Sequence, residues 1–91
     1  FQSIMDKITL LSLSNDLKRI TTSIQSGSIE NAERFTKEAK HWIRNDVDDD
    51  YLKSLMGKIA NSLDQKNDFK KAEDCLMYSV LLQNQALYSS K

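Results

Sequence analysis

From Cys75 to Ser90 the chain carries no charged side chain, although 29% of all residues are Asp, Glu, Lys or Arg. Laid on a helix at about 100° per residue, Ala72, Leu76, Ser79, Gln83 and Ala86 fall on one side of this stretch. Met77, Leu81 and Tyr88 fall on the other, with Tyr78 and Gln85 beside them, and Lys70 and Asp74 begin that second side. A helix that is apolar on both sides needs two covers. A hairpin with residues 52–63 is expected to supply the first. The stripe Phe1, Ile4, Ile8 and Leu11, with Met5 beside it, or another molecule is expected to supply the second. The run holds too many Gln, Asn and Ser residues to span a bilayer, so no membrane insertion is expected.

The rest of the chain repeats the helical pattern. Its 91 residues include no proline and two glycines, Gly27 and Gly57, so little breaks a helix. Leu10, Leu13, Leu17, Ile20 and Ile24 form a second stripe nearly opposite the first, and a single helix through Ser12–Asn15 is expected, straight or slightly kinked. Ser26-Gly27-Ser28 is the clearest turn, with Ser28 as a candidate cap for the next helix. That helix shows Ile29, Ala32, Thr36, Ala39 and Ile43 on one face, widened by Phe35 and Trp42. A polar linker at 45–50 holds four acids, and Asp48, Asp49 or Asp50 is placed to cap a third helix. The third helix is amphipathic through Leu52, Leu55, Met56, Ile59 and Leu63; Asn67 or Asp68 then caps the last. The expected fold is all-α: one domain over 1–91, an antiparallel array or bundle of four to five helices. Its core is expected to hold Leu17, Ile20, Ile24, Ala32, Ile43, Leu52, Leu55, Met56, Ile59, Leu63, Phe69, Ala72, Leu76 and Leu82.

Two segments echo one another at an offset of 40 residues: 26–33 and 66–73 each run from a turn to an apolar residue to Ala-Glu. The second copy resembles a degenerate tetratricopeptide repeat, with Ile59, Ala60, Leu63, Phe69, Ala72, Leu76 and Ser79 where that family packs its hairpin. The likeness covers residues 52–82 and, more loosely, 17–43. The offset exceeds the family's period of about 34, the closing proline is absent, and Ser23 stands where a large residue is usual. The same turn and helix pair also looks like the MIT domain, a three-helix module that binds short helical tails. Either resemblance implies TPR-like hairpins and a binding role.

Lys+Arg and Asp+Glu both number 13, so the net charge is zero and gives no electrostatic footprint for nucleic acid. Cys75 is the only cysteine, which excludes an internal disulfide and agrees with a reducing compartment, cytoplasmic or nuclear. It sits at the edge of an apolar stripe, where a buried, inert thiol is expected. His41 is the only histidine and has no second ligand one turn away. Asp46, Asp48 and Asp50 alternate like the start of a calcium loop, but Tyr51 stands at the required glycine and Gly57 at the final glutamate. Lys70 and Lys71 read as surface charges. The sequence carries no cofactor or catalytic signature. The chain begins at Phe1, which suggests a piece of a longer protein.

The function expected is therefore a non-catalytic protein-interaction module that docks a partner helix or peptide, or self-associates. Met77, Leu81, Tyr88 and Tyr78 are the candidate contact residues. Phe35 and Trp42, at i and i+7, serve either as flanks of the core or as exposed anchors. Two alternatives remain open: a small metal-binding or enzymatic domain using His41, Cys75 or the 46–50 acids, and a structural spacer.

Overall fold

A computed structural model describes residues 7–43, 47 and 49–88. Four helices form: α1 Lys7–Gln25, α2 Ile29–Lys40, α3 Asp50–Leu63 and α4 Phe69–Tyr88. No strand occurs among the described residues. The all-α bundle expected from the helical spacing is the observed architecture, with four helices.

The sequence signals act locally as their chemistry dictates. α1 runs unbroken through Ser12–Asn15. It ends where Gly27 takes φ +82°, with the Ser28 amide donating to Ser23 O at 2.8 Å and the Gly27 amide to Ile24 O at 3.0 Å. That pair of bonds is a Schellman closure, and it needs the left-handed conformation that glycine adopts without strain. Ser28 precedes α2, but its hydroxyl makes no capping bond. Of the three candidate aspartates, Asp49 caps α3, accepting from the amides of Tyr51 at 2.8 Å and Leu52 at 3.2 Å. Asp68 caps α4 by accepting from the Lys71 amide at 3.1 Å.

The two longest helices, α1 and α4, make the most extensive contact; α2 packs on α1, and α3 closes against α4 and α2. α1 and α4 are antiparallel, because Ser14 meets Ser79 while Thr21 meets Ala72. Leu17, Ile20 and Ile24 from α1 and Leu52, Leu55, Met56, Ile59 and Leu63 from α3 fill the core, as expected, and Leu10 and Leu13 of the same α1 stripe join them. Val47 adds a buried side chain from inside the acidic linker. Of the first apolar stripe, Phe1, Ile4 and Met5 lie outside the described residues. Ile8 is 73% exposed and so does not cover α4, and Leu11 is half-buried against the core.

α4 departs from expectation. Its inward residues are Ala72, Cys75, Ser79, Leu82 and Ala86, not the stripe through Phe69 and Leu76. Phe69 and Leu76 are exposed, and Ile43 is only half-buried. Of the face first assigned inward, Ala72, Ser79 and Ala86 are buried, and the centre of the buried row is turned from it by about 40°. The reason is its neighbour. The face bearing Ala72 and Ser79 was expected to meet 52–63, whereas both residues meet α1. A close approach to α1 selects the small side chains.

Ile59→Ala or Leu63→Ala should each lower stability by about 2–5 kcal/mol, read from the urea midpoint. The two glycines should respond with opposite signs. Gly57 lies exposed inside α3 with open space where a Cβ would sit, so Gly57→Ala should stabilise by about 0.5–1 kcal/mol. Gly27→Ala meets no clash but must hold positive φ, and should destabilise by about 1–2 kcal/mol.

Candidate docking face

The turn of α4 toward α1 leaves large apolar side chains outside. Phe69 is 75% exposed, Leu76 47%, Met77 49%, Val80 47%, Leu87 53% and Tyr88 69%. They follow the helix from end to end and occupy the side away from the buried residues at 72, 75, 79, 82 and 86. The charged positions on that side, Lys70 and Glu73, lie near its N-terminal end, and Lys70 Nζ is 3.2 Å from Asp74 Oδ2.

Of the six candidate contact residues, Met77 and Tyr88 are exposed on this face, and Tyr78 and Leu81 lie half-buried at its border with α3. Met77, Tyr78 and Leu81 line a cleft of about 260 Å³ with Tyr51, Ser54, Leu55 and Lys58 of α3. Tyr51 is 49% exposed and widens the apolar surface at this point.

Phe35 and Trp42 lie elsewhere, on the α2 side. Both are half-buried and pack against the core. Two guanidinium groups lie over the Phe35 ring, Arg19 at 5.6 Å and Arg34 at 5.5 Å from its centroid. Trp42 donates from Nε1 to Asp16 Oδ2 at 3.1 Å. These contacts make the two aromatics flanks of the core, in a different place from the α4 face. Asp16 is buried, and its carboxyl is held above the usual range, first by loss of solvent and then by the nearby Glu38 charge; the Trp42 hydrogen bond and Arg19 pull it back. With Ser12, Asn15 and His41 these groups line a hollow of about 500 Å³. Nothing in the local sequence marks Asp16 as buried; its tryptophan partner is 26 residues away.

Lys71 overturns its reading as a surface charge. It is 2% exposed. Its ammonium donates to Asn67 Oδ1 at 2.9 Å, Thr36 Oγ1 at 3.0 Å, Leu63 O at 3.2 Å and Gln65 O at 3.3 Å. The Leu63 carbonyl closes α3, where a cation is favoured by the helix dipole. All four acceptors are neutral, and burial pushes the Lys71 amine below the usual lysine range.

Cys75 is fully buried next to this lysine, and desolvation pushes its thiol up to about 11. His41 is exposed at the end of α2, so the structure does not join it to Cys75. Asp46 and Asp48 lie outside the described residues. Among the described residues no three His, Cys, Asp or Glu side chains gather closely enough to hold a metal ion. Nor is any described helix long and apolar enough to cross a membrane. No family model, curated protein or solved structure matches the chain.

The buried thiol should resist a disulfide reagent at pH 8 and react only as urea opens the fold. It keeps its proton in the native state up to about pH 11, against 9.0 when free. Between those values the native state binds more protons than the unfolded chain, so stability falls as pH rises. Comparing the parent with Cys75→Ala isolates this contribution: any stability advantage of the parent should shrink from pH 9 toward 11. Lys71→Met leaves four acceptors without their donor and should cost about 1–3 kcal/mol in the denaturant midpoint.

Proposed function

We propose that the chain is a protein-interaction module that docks a helical segment on the outer face of α4. The observation that carries this reading is the run of six exposed apolar side chains along one helix, Phe69, Leu76, Met77, Val80, Leu87 and Tyr88. Single exposed apolar residues are common on any surface, but a contiguous stripe along 20 residues is the usual mark of a contact site. A helix of that length is about 30 Å long, enough for a helix-in-groove contact with anchors on successive turns. The adjoining cleft at Tyr51, Leu55, Tyr78 and Leu81 offers a side pocket for one such anchor.

The resemblance to tetratricopeptide and MIT hairpins supports the same class of function. Zero net charge favours a protein partner over nucleic acid. A free thiol supports a reducing compartment, cytoplasmic or nuclear. On this reading the chain works without catalysis and without a cofactor.

The test is affinity capture from an extract of the source cells, comparing the parent with Met77→Glu. Met77 is about half exposed, so the variant should keep its circular dichroism and melt within about 0.5 kcal/mol of the parent. Polypeptides held by the parent should be lost with the variant. Equal capture by both would remove α4 as the docking face.

A further inference from the structure

We infer that the segment docked on α4 is α4 of a second copy, lying antiparallel about a two-fold axis between Tyr78 and Ser79. This rests on the docking face proposed above and names its occupant. Three observations lead to it: the placement of charge, the symmetry of the apolar positions and the area available.

Charge on this face is confined to one end. Lys70 and Glu73 stand in the first two turns, and no charged residue occurs from Cys75 to Tyr88. A parallel copy would set Lys70 beside Lys70 and Glu73 beside Glu73, which like charges oppose. An antiparallel copy brings each charged end against the uncharged end of its neighbour. Glu73 then faces the Asn84 side-chain amide, a hydrogen-bond donor, and Lys70 lies along Leu87 with its head free to reach solvent. The helix dipoles also oppose one another in this arrangement. The chain's zero net charge adds no repulsion between copies.

The apolar positions match under the same rotation. α4 spans Phe69–Tyr88, so a two-fold axis at its midpoint brings Phe69 level with Tyr88 of the other copy. It sets Met77 against Val80 twice, once on each side of the axis, with Leu76 of both copies along one flank of this centre. Residues 70, 73, 77, 80, 84 and 87 then form the alternating three- and four-residue spacing of an antiparallel helix seam. Of the six exposed apolar side chains, Met77, Val80 and Leu87 lie in the seam, and Phe69, Leu76 and Tyr88 flank it. At roughly 100 Å² each they give about 600 Å² per copy, or about 1,200 Å² for the pair. That reaches the lower edge of specific interfaces and fits a dimer that dissociates on dilution.

The experiment is sedimentation equilibrium on the whole chain between about 5 and 500 µM, a range that brackets weak association. The parent should rise from its monomer mass of 10.5 kDa toward twice that value. Val80→Glu and Met77→Lys, each made singly, should stay monomeric with unchanged circular dichroism. Mixed in equal amounts they should recover the dimer, because the antiparallel seam places Glu at 80 of one chain against Lys at 77 of the other. A parent that stays monomeric at the highest concentration overturns the inference. So does a dimer that survives Val80→Glu, and so does a mixture that fails to recover association. A monomeric parent whose capture of other polypeptides is still lost with Met77→Glu leaves the docking face standing and removes only the second copy. Loss of both results removes both.

Discussion

The contact between α1 and α4 is the constraint on which the other packing depends. Two α1 hydroxyls donate to main-chain carbonyls of α4: Ser14 to Ser79 O and Thr21 to Ala72 O, both at 2.8 Å. The donors and the acceptors are each seven residues apart, in opposite directions along their helices, so the two bonds fix one antiparallel register. A shift of one helix along the other would leave two buried hydroxyls without partners, at a cost of about 1–3 kcal/mol each. The bonds also require the backbones to lie close, which is why Ala72, Cys75, Ser79 and Ala86 occupy the α4 side of the contact. Ser79 directs its own hydroxyl to Leu76 O at 2.6 Å, so the close contact leaves that polar group satisfied.

Lys71 ties one end of the bundle together by a different principle. Its four acceptors come from α2, the last turn of α3 and the connection into α4. One ammonium thus closes carbonyls that the end of α3 would otherwise leave open, and it fixes where α3 turns back. The cost is desolvation of a cation that, among the described residues, has no carboxylate in direct contact, seen in its depressed basicity. Asp16 shows the mirror situation on the α2 side, a buried acid held by an indole N–H and an arginine. Among the described residues no buried side-chain polar atom lacks a partner, so the expense of both charges is met by hydrogen bonds.

Much of this was legible in the sequence where the signal is local. The Gly27 turn, the aspartate caps and the amphipathic stripes of α1 and α3 depend on residues within a turn or two of one another, and each appears as expected. The rotation of α4 was not legible, because a helix apolar nearly all round has no preferred inward face until its neighbour is known. Phe69 and Leu76 were assigned to the core from their helical spacing and repeat-like positions, yet the neighbour selects the small residues beside them. Lys71 and Asp16 were missed for a related reason. Nothing within a helical turn distinguishes Lys71 from Lys70, which stays on the surface. The difference lies in Thr36 and Leu63, brought in by tertiary packing. Met77 and Tyr88 could be placed on the outer side because they lie opposite the small residues whichever helix covers those.

The same reasoning connects the core to the outer face. A close α1–α4 contact leaves room for only one large aliphatic side chain, Leu82, in the buried row of α4. The remaining large apolar residues of the helix therefore had to lie at its flanks or outside. Folding alone does not require them to be apolar: Lys, Glu or Gln at 76, 77, 80 and 87 would preserve helix propensity and improve solubility. α2 shows that alternative, since Asn31, Arg34, Lys37 and Glu38 cover its exposed side. Two helices of one bundle thus follow opposite rules at positions that are equally free of the core. A charged outer side on α2 leaves that helix facing water. On α4 the outer side is apolar from Leu76 to Tyr88 apart from its amides, which is the contrast on which the proposed docking rests.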